Sequence, residues 1–119
     1  MNRNKEEQRL RINGLLIVNK PPILSSMGIV SRVRGRARGV RTGHAGTLDP
    51  RATGVLVMGL GRATKLLDSL MALEKQYRTT IDLSITNASF DLELDVDPVE
   101  ISSPPDRMTV EAALENFIG

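Results

Sequence analysis

The chain contains no cysteine. A disulfide framework, a thiol nucleophile and a cysteine-based zinc site are therefore all excluded. Aromatic residues are almost as scarce: Tyr77, Phe90 and Phe117 are the whole set, and His44 is the single histidine. No apolar run approaches the span of a membrane helix. The opening Met-Asn-Arg-Asn-Lys-Glu-Glu-Gln-Arg-Leu is charged and has no apolar core segment, which excludes a secretory signal. The expectation is a cytoplasmic protein with no membrane partner. Acidic residues are also missing from a long stretch, because Asp49 is the only carboxylate between residues 8 and 67.

That scarcity is half of a strong charge division. Residues 1–65 hold 13 of the 16 Lys and Arg and three of the 14 acids, a local charge of +10. Residues 66–119 hold the other three basic residues and eleven acids, a local charge of −8. A chain divided in this way suits a polyanion on one face and avoids it on another. At 119 residues and 40% hydrophobic content, it has the material for one small domain or part of a larger one.

The pattern along the chain predicts an α+β arrangement: a mixed, largely antiparallel sheet flanked by helices. Residues 1–12 read as a polar, mobile leader, and residues 13–119 as the structured part. Gly14-Leu15-Leu16-Ile17-Val18 is a short apolar run of the kind found in a buried strand. Lys20-Pro21-Pro22 ends it, since proline donates nothing to a ladder. Ser25 or Ser26 caps a predicted helix over 27–38, with Ile29, Val30 and Val33 on one face, Arg32, Arg34, Arg36 and Arg38 on the other, and Gly39 as its stop. Val55 to Leu60 predicts a second buried strand, and residues 61–73 a helix with Leu66, Leu67, Leu70 and Met71 as its stripe. Residues 76–85 and 90–96 alternate in polarity and predict two strands able to pair as a hairpin. A final helix is expected to be capped by Thr109.

The densest chemistry lies in residues 43–56, Gly-His-Ala-Gly-Thr-Leu-Asp-Pro-Arg-Ala-Thr-Gly-Val-Leu. Here the lone carboxylate, Asp49, sits among three glycines and before Pro50, which biases it to an extended or turning backbone. In isolation Asp49 would be an ordinary turn former and His44 a satisfied loop residue. This stretch, however, closely resembles the signature of the TruB-type tRNA pseudouridine synthases, Gly-His-x-Gly-Thr-Leu-Asp-Pro-x-Ala-Thr-Gly-Val-Leu, at every defined position. Residues 14–26 resemble the family's opening Gly-x-Leu-x-x-Asp-Lys-Pro-x-Gly-x-Thr-Ser, with Asn19 for the Asp, Ile23 for the Gly and Ser25 for the Thr. Without that glycine the turn is expected to be built differently. Gly61-Arg62-Ala63-Thr64-Lys65 is similar to the family's Gly-x-Ala-Thr-Lys, and Lys75-Gln76-Tyr77 to its Lys-x-Tyr. Beyond residue 83 the likeness thins, and of the family's Thr-Asp-Thr-x-Asp element only Asp91 aligns.

The resemblance implies a partial pseudouridine synthase catalytic domain. It implies an isomerase that converts the T-loop uridine of tRNA (uridine-55) to pseudouridine, with the T-arm stem-loop as its partner and no guide-RNA proteins. It implies Asp49 as the catalytic aspartate, His44 at the RNA where the target base leaves the stack, and Tyr77 stacking on the uracil. Lys20 and Lys65 are candidate RNA contacts, and Arg32, Arg34, Arg36 and Arg38 are candidate phosphate contacts. No cofactor or metal is required, because isomerisation needs neither a redox change nor a group donor. The acidic run Asp91, Glu93, Asp95, Asp97 lacks the central glycine and terminal glutamate of a calcium loop.

Family members are roughly twice as long. The expectation is thus the N-terminal part of such an enzyme, monomeric at full length, with a basic partner for Asp49 and an RNA-binding domain supplied by the remainder. The alternative is a non-catalytic remnant that binds RNA through its basic half. A phosphate-binding module based on residues 61–65 is excluded by the wrong loop spacing.

Overall fold

A computed structural model describes residues 11–119, which divide into two compact units, one ending at Lys75 and one spanning Gln76–Gly119. The expected leader over residues 1–12 lies largely outside the described residues.

In the first unit, β1 (Gly14–Lys20), β2 (Thr42–His44) and β3 (Gly54–Leu60) form one sheet in the order β1-β3-β2. Both pairings are antiparallel. β1 runs alongside β3 for its whole length, from Gly14 opposite Leu60 to Lys20 opposite Gly54. β2 takes the other edge of β3, with Thr42 opposite Leu60 and His44 opposite Met58.

The sheet's inner face follows from the two-residue period of β3: Leu56, Met58 and Leu60 are buried on one side. Helix α1 (Ser26–Arg36) lays Ile29 and Val30 on Leu56 and Met58, with Val18, Leu24, Val33 and Leu48 around them. Ser25 caps it, its Oγ accepting from the Gly28 amide at 3.0 Å. Beyond Arg36 the chain turns left-handed at Arg38 and Gly39, and the Gly39 amide donates to the Arg34 carbonyl at 2.9 Å.

The other face explains two glycines. Gly43 and Gly59 lie opposite each other in the ladder. A Cβ on Gly59 would sit 2.8 Å from the Ala63 carbonyl oxygen, and one on Gly43 would sit 2.9 Å from a Leu67 methyl. This bare patch lets a 3₁₀ turn (Gly61–Leu66) and the short helix α2 (Leu67–Met71) pack directly on the backbone of the sheet. The expected helix over 61–73 is thus split, with a 3₁₀ first half. The expectation that residues 14–18 form a buried strand is corrected: the strand forms, but none of these five residues is buried. Leu15 is 48% exposed, Ile17 61% and Val55 69%, so the outer face of the β1 side carries an open apolar strip.

The second unit contains β4 (Ile85–Thr86) paired antiparallel with β5 (Asp97–Pro98), and helix α3 (Arg107–Glu115). None of its residues is buried. The two strands expected over 76–85 and 90–96 are not formed. Polar side chains take over the backbone there: the Asn87 amide donates to the Asp91 and Leu94 carbonyls, and the Asp91 carboxylate accepts from the Glu93 amide at 2.8 Å and the Ser89 hydroxyl at 2.7 Å. Such local bonds compete with a ladder and bend the chain into turns. The last helix begins earlier than expected, because Asp106 caps it by accepting from the Thr109 amide at 2.8 Å. Thr109 is the capped residue, not the cap.

Gly59→Ala should lower the unfolding free energy by about 1–3 kcal/mol in a urea titration, because its methyl meets fixed backbone. Gly14→Ala, with nothing within 4 Å of its added carbon, should change it by less than about 0.5 kcal/mol.

Candidate active site

Residues 45–53 connect the end of β2 to the start of β3, and Asp49 stands near the middle. Gly46 (φ +98°) and Gly54 (φ +122°) give the segment the left-handed geometry that β-branched or bulky residues resist. Two side chains from the Lys20–Ser26 region grip it, one on each side of Asp49. Before it, the Ser26 hydroxyl accepts from the Leu48 amide at 2.9 Å and donates to the Leu48 carbonyl at 3.2 Å. After it, the Lys20 ammonium donates to the Pro50 carbonyl at 2.9 Å. The Leu48 side chain packs on the Ile29–Met58 cluster, and the Ala52 amide donates to the Asp49 carbonyl at 3.0 Å. Four interactions thus fix the backbone around one exposed aspartate. Among the described residues none bonds or pairs with its carboxylate.

Lys20 is completely buried. An ammonium has three donors, and all three are occupied: Pro50, Leu24 at 2.7 Å and Pro21 at 3.0 Å, each through a carbonyl oxygen. The expectation that Lys20 meets RNA is corrected on this ground, since it has neither surface nor a free donor. It is a positioning residue. A buried cation is tolerable only when it is fully bonded, and the carbonyls around it would be left unsatisfied without it. The sequence signal was the pair Pro21-Pro22, which contributes carbonyl acceptors to a turn but no N–H donors of its own. Ser26 also went unrecognised as a loop clamp. Its place beside the true cap, Ser25, made it a helix-start residue and nothing more.

Ile23 occupies the place where the resembling family carries glycine. Ile23 itself takes φ +74°, in the left-handed region that favours glycine, and is 83% exposed. A β-branched residue in that region is strained by about 1–3 kcal/mol. The turn persists because Leu24 must offer its carbonyl to Lys20.

His44 closes β2, on a strand where the sequence suggested loop. It is half-buried, and its Nδ1 is enclosed with no hydrogen-bond partner among the described residues. Lys65 is exposed in the 3₁₀ turn, which follows the opposite end of β3 from the Asp49 loop. Arg32, Arg34 and Arg36 are exposed along α1, yet they do not form one row. Arg32 and Arg36 are a turn apart and share a side, whereas Arg34 lies round the helix from both. Arg38 stands beyond the helix end at φ +52°. Tyr77 belongs to the second unit, 68% exposed in a stretch without regular structure. Neither Arg41 nor Arg51 pairs with Asp49, and the one ion pair among the described residues joins Arg107 to Glu111. No described helix is long and apolar enough to cross a membrane.

Ile23→Gly should raise the unfolding free energy by about 1 kcal/mol, because relief of the strained φ outweighs the added chain entropy. A loss of stability in the same titration would show that Ile23 sits there without strain.

Comparison with known proteins places this geometry. Residues 34–119 match the family described as TruB family pseudouridylate synthase (N terminal domain). The tRNA pseudouridine synthase B of Streptomyces griseus is 43% identical over 113 residues, 95% of this chain and 38% of the relative. Its namesake from Parabacteroides distasonis is 39% identical over 111 residues, 88% of this chain and 47% of the relative. That of a Mycobacterium species is 54% identical over 84 residues, 70% of this chain and 28% of the relative. The chain spans less than half the length of each of these relatives.

Proposed function

The chain belongs to the TruB family of pseudouridylate synthases, and we propose that its Asp49 loop is the catalytic element of a tRNA pseudouridine synthase acting on the T-loop uridine. The observation that carries this reading is the loop itself: a lone exposed carboxylate held from both sides by buried Lys20 and Ser26. Four relatives of different genera sharing the name tRNA pseudouridine synthase B support tRNA as the substrate.

The reaction converts uridine to an isomer. The bond from the sugar's anomeric carbon to N1 of uracil breaks, the base turns, and a bond forms from C5 to the same carbon. The proton lost from C5 is balanced by one gained at N1. A carboxylate suits this sequence as a nucleophile, since a covalent bond to one fragment prevents its loss while the other reorients. No electron acceptor or group donor enters the balance.

The target base must leave its stack to be reached. His44, at the β2 end that feeds the loop, is assigned to the RNA beside the departing base. Tyr77 is assigned to stacking on the uracil and Lys65 to the RNA backbone. Arg32 and Arg36, sharing one side of α1, are the stronger phosphate contacts among the four arginines, with Arg34 and Arg38 secondary. The partner is the T-arm stem-loop, without guide-RNA proteins, and the protein works as a cytoplasmic monomer. RNA binding without turnover is the second reading. It is favoured by the absence of a cationic partner for Asp49 among the described residues, since such a group would organise the attacking carboxylate.

Asp49→Asn should abolish pseudouridine formation, by more than about a thousandfold in single-turnover assays, in any form of the protein that turns over a T-arm substrate, while RNA affinity stays within a few fold. A rate within tenfold of the parent would remove Asp49 from the chemistry. Unaltered RNA binding by a parent that never turns over would favour the second reading.

A further inference from the structure

At the Leu60 end of the sheet, roughly 20 Å along β3 from the Asp49 loop, the first unit contains a cavity of about 380 Å³ lined by Arg11, Asn13, Gly39, Arg41, Gly61 and Arg62. Among the described residues, three arginines and no acidic residue line it. Its framework is built closely. Gly61 takes φ +59°, and a Cβ there would lie 2.3 Å from the Ile12 carbonyl oxygen and 2.4 Å from Asn13 Oδ1, so only glycine lets residues 12–13 come so near. The Gly61 amide donates to the Arg41 carbonyl at 2.8 Å and the Arg62 amide to Asn13 Oδ1 at 2.7 Å. These two backbone donors are therefore occupied internally. The three guanidinium groups form no hydrogen bond or ion pair among the described residues. All three arginines are exposed, and an anion at a cavity lined by three cations is attracted by each of them.

We infer that this cavity holds a backbone phosphate of the RNA whose target uridine meets Asp49, as a second anchor at the far end of the sheet. The inference rests on the proposed function for the choice of RNA, and on the arginine geometry for the choice of phosphate. Guanidinium forks match phosphate oxygens in pairs of hydrogen bonds. An anchor on a backbone phosphate roughly 20 Å from the Asp49 loop adds to positioning and leaves the base sequence unread. It also gives Arg41 a task other than pairing with Asp49.

Two measurements on the 119-residue chain and its Arg11→Ala/Arg41→Ala/Arg62→Ala variant test this. In the first, inorganic phosphate is titrated against the amide resonances of Gly39, Arg41 and Gly61, which should shift in the parent and not in the variant. In the second, binding of a T-arm stem-loop and of a loop-only oligonucleotide is followed against salt. Each lost phosphate contact lowers the slope of log K against log salt by about 0.7–0.9. The variant's slope for the stem-loop should therefore fall by about 0.7–0.9, since the cavity holds one phosphate, its loop-only binding should stay unchanged, and the triple lysine variant should keep the parent's slope. An unchanged stem-loop slope in a parent that binds RNA overturns the inference and leaves the proposed function standing. Phosphate shifts with that unchanged slope mean a site for free anions only, which also overturns it. A parent that binds no RNA overturns the inference for this chain, while turnover by a longer form still decides the proposed function.

Discussion

A buried ammonium holds the architecture of the site together. Lys20 ends β1 facing Gly54 across the ladder, at the corner where the first strand, the Pro21–Leu24 turn and the Asp49 loop converge. The turn brings two carbonyl oxygens to the corner, from Pro21 and Leu24, the loop brings one from Pro50, and the lysine at the end of the strand joins all three. The arrangement is all-or-none, because an ammonium with a missing acceptor is a costly buried charge and a carbonyl with a missing donor is a costly buried acceptor. The strained backbone of Ile23 follows from the same demand, and so does the setting of Pro50 beside the carboxylate. Ser26 performs the matching task one residue upstream of Asp49, where its hydroxyl both donates to and accepts from the same residue.

The electrostatic setting points the same way. The basic half of the chain holds a single carboxylate between residues 8 and 67, and its arginines are exposed and unpaired among the described residues. A polyanion drawn to such a surface finds one negative group in it, on a loop whose backbone cannot give way. Long-range attraction and local rigidity come from different residues: arginines on α1 and around the cavity for the first, buried Lys20 and Ser26 for the second. A charge lost from the arginine set should act on encounter and affinity, whereas a change at the buried pair should act on where Asp49 stands.

Much of this was legible in the sequence where local rules and tertiary packing agree. The apolar runs at 14–18 and 55–60 are strands, Ser25 caps the helix, Gly39 stops it, and the motif spacing of residues 43–56 led to the family. Where a residue's role depends on a distant partner, the sequence was silent. Lys20 looks like a surface cation until its bond to Pro50, thirty residues away, is seen. β2 has only three residues, Thr-Gly-His, and no alternation to detect. Residues 76–96 carry a strand-like alternation that misled, because Asn87 and Asp91 bond their own neighbours and so win the backbone over from any ladder. Glycine at 43 and 59 reads as a weak strand in each case, and only their pairing reveals the bare patch on which α2 rests.

Hydrogen exchange at the Leu48 and Ala52 amides of a Lys20→Met variant, measured beside its affinity for a T-arm stem-loop, tests the assignment of Lys20 as the builder of the loop most directly. If Lys20 fixes the segment, protection of both amides should fall by more than about tenfold while RNA affinity stays within about threefold. Unchanged exchange together with tenfold weaker RNA binding would contradict it, and would return Lys20 to the surface as an RNA contact.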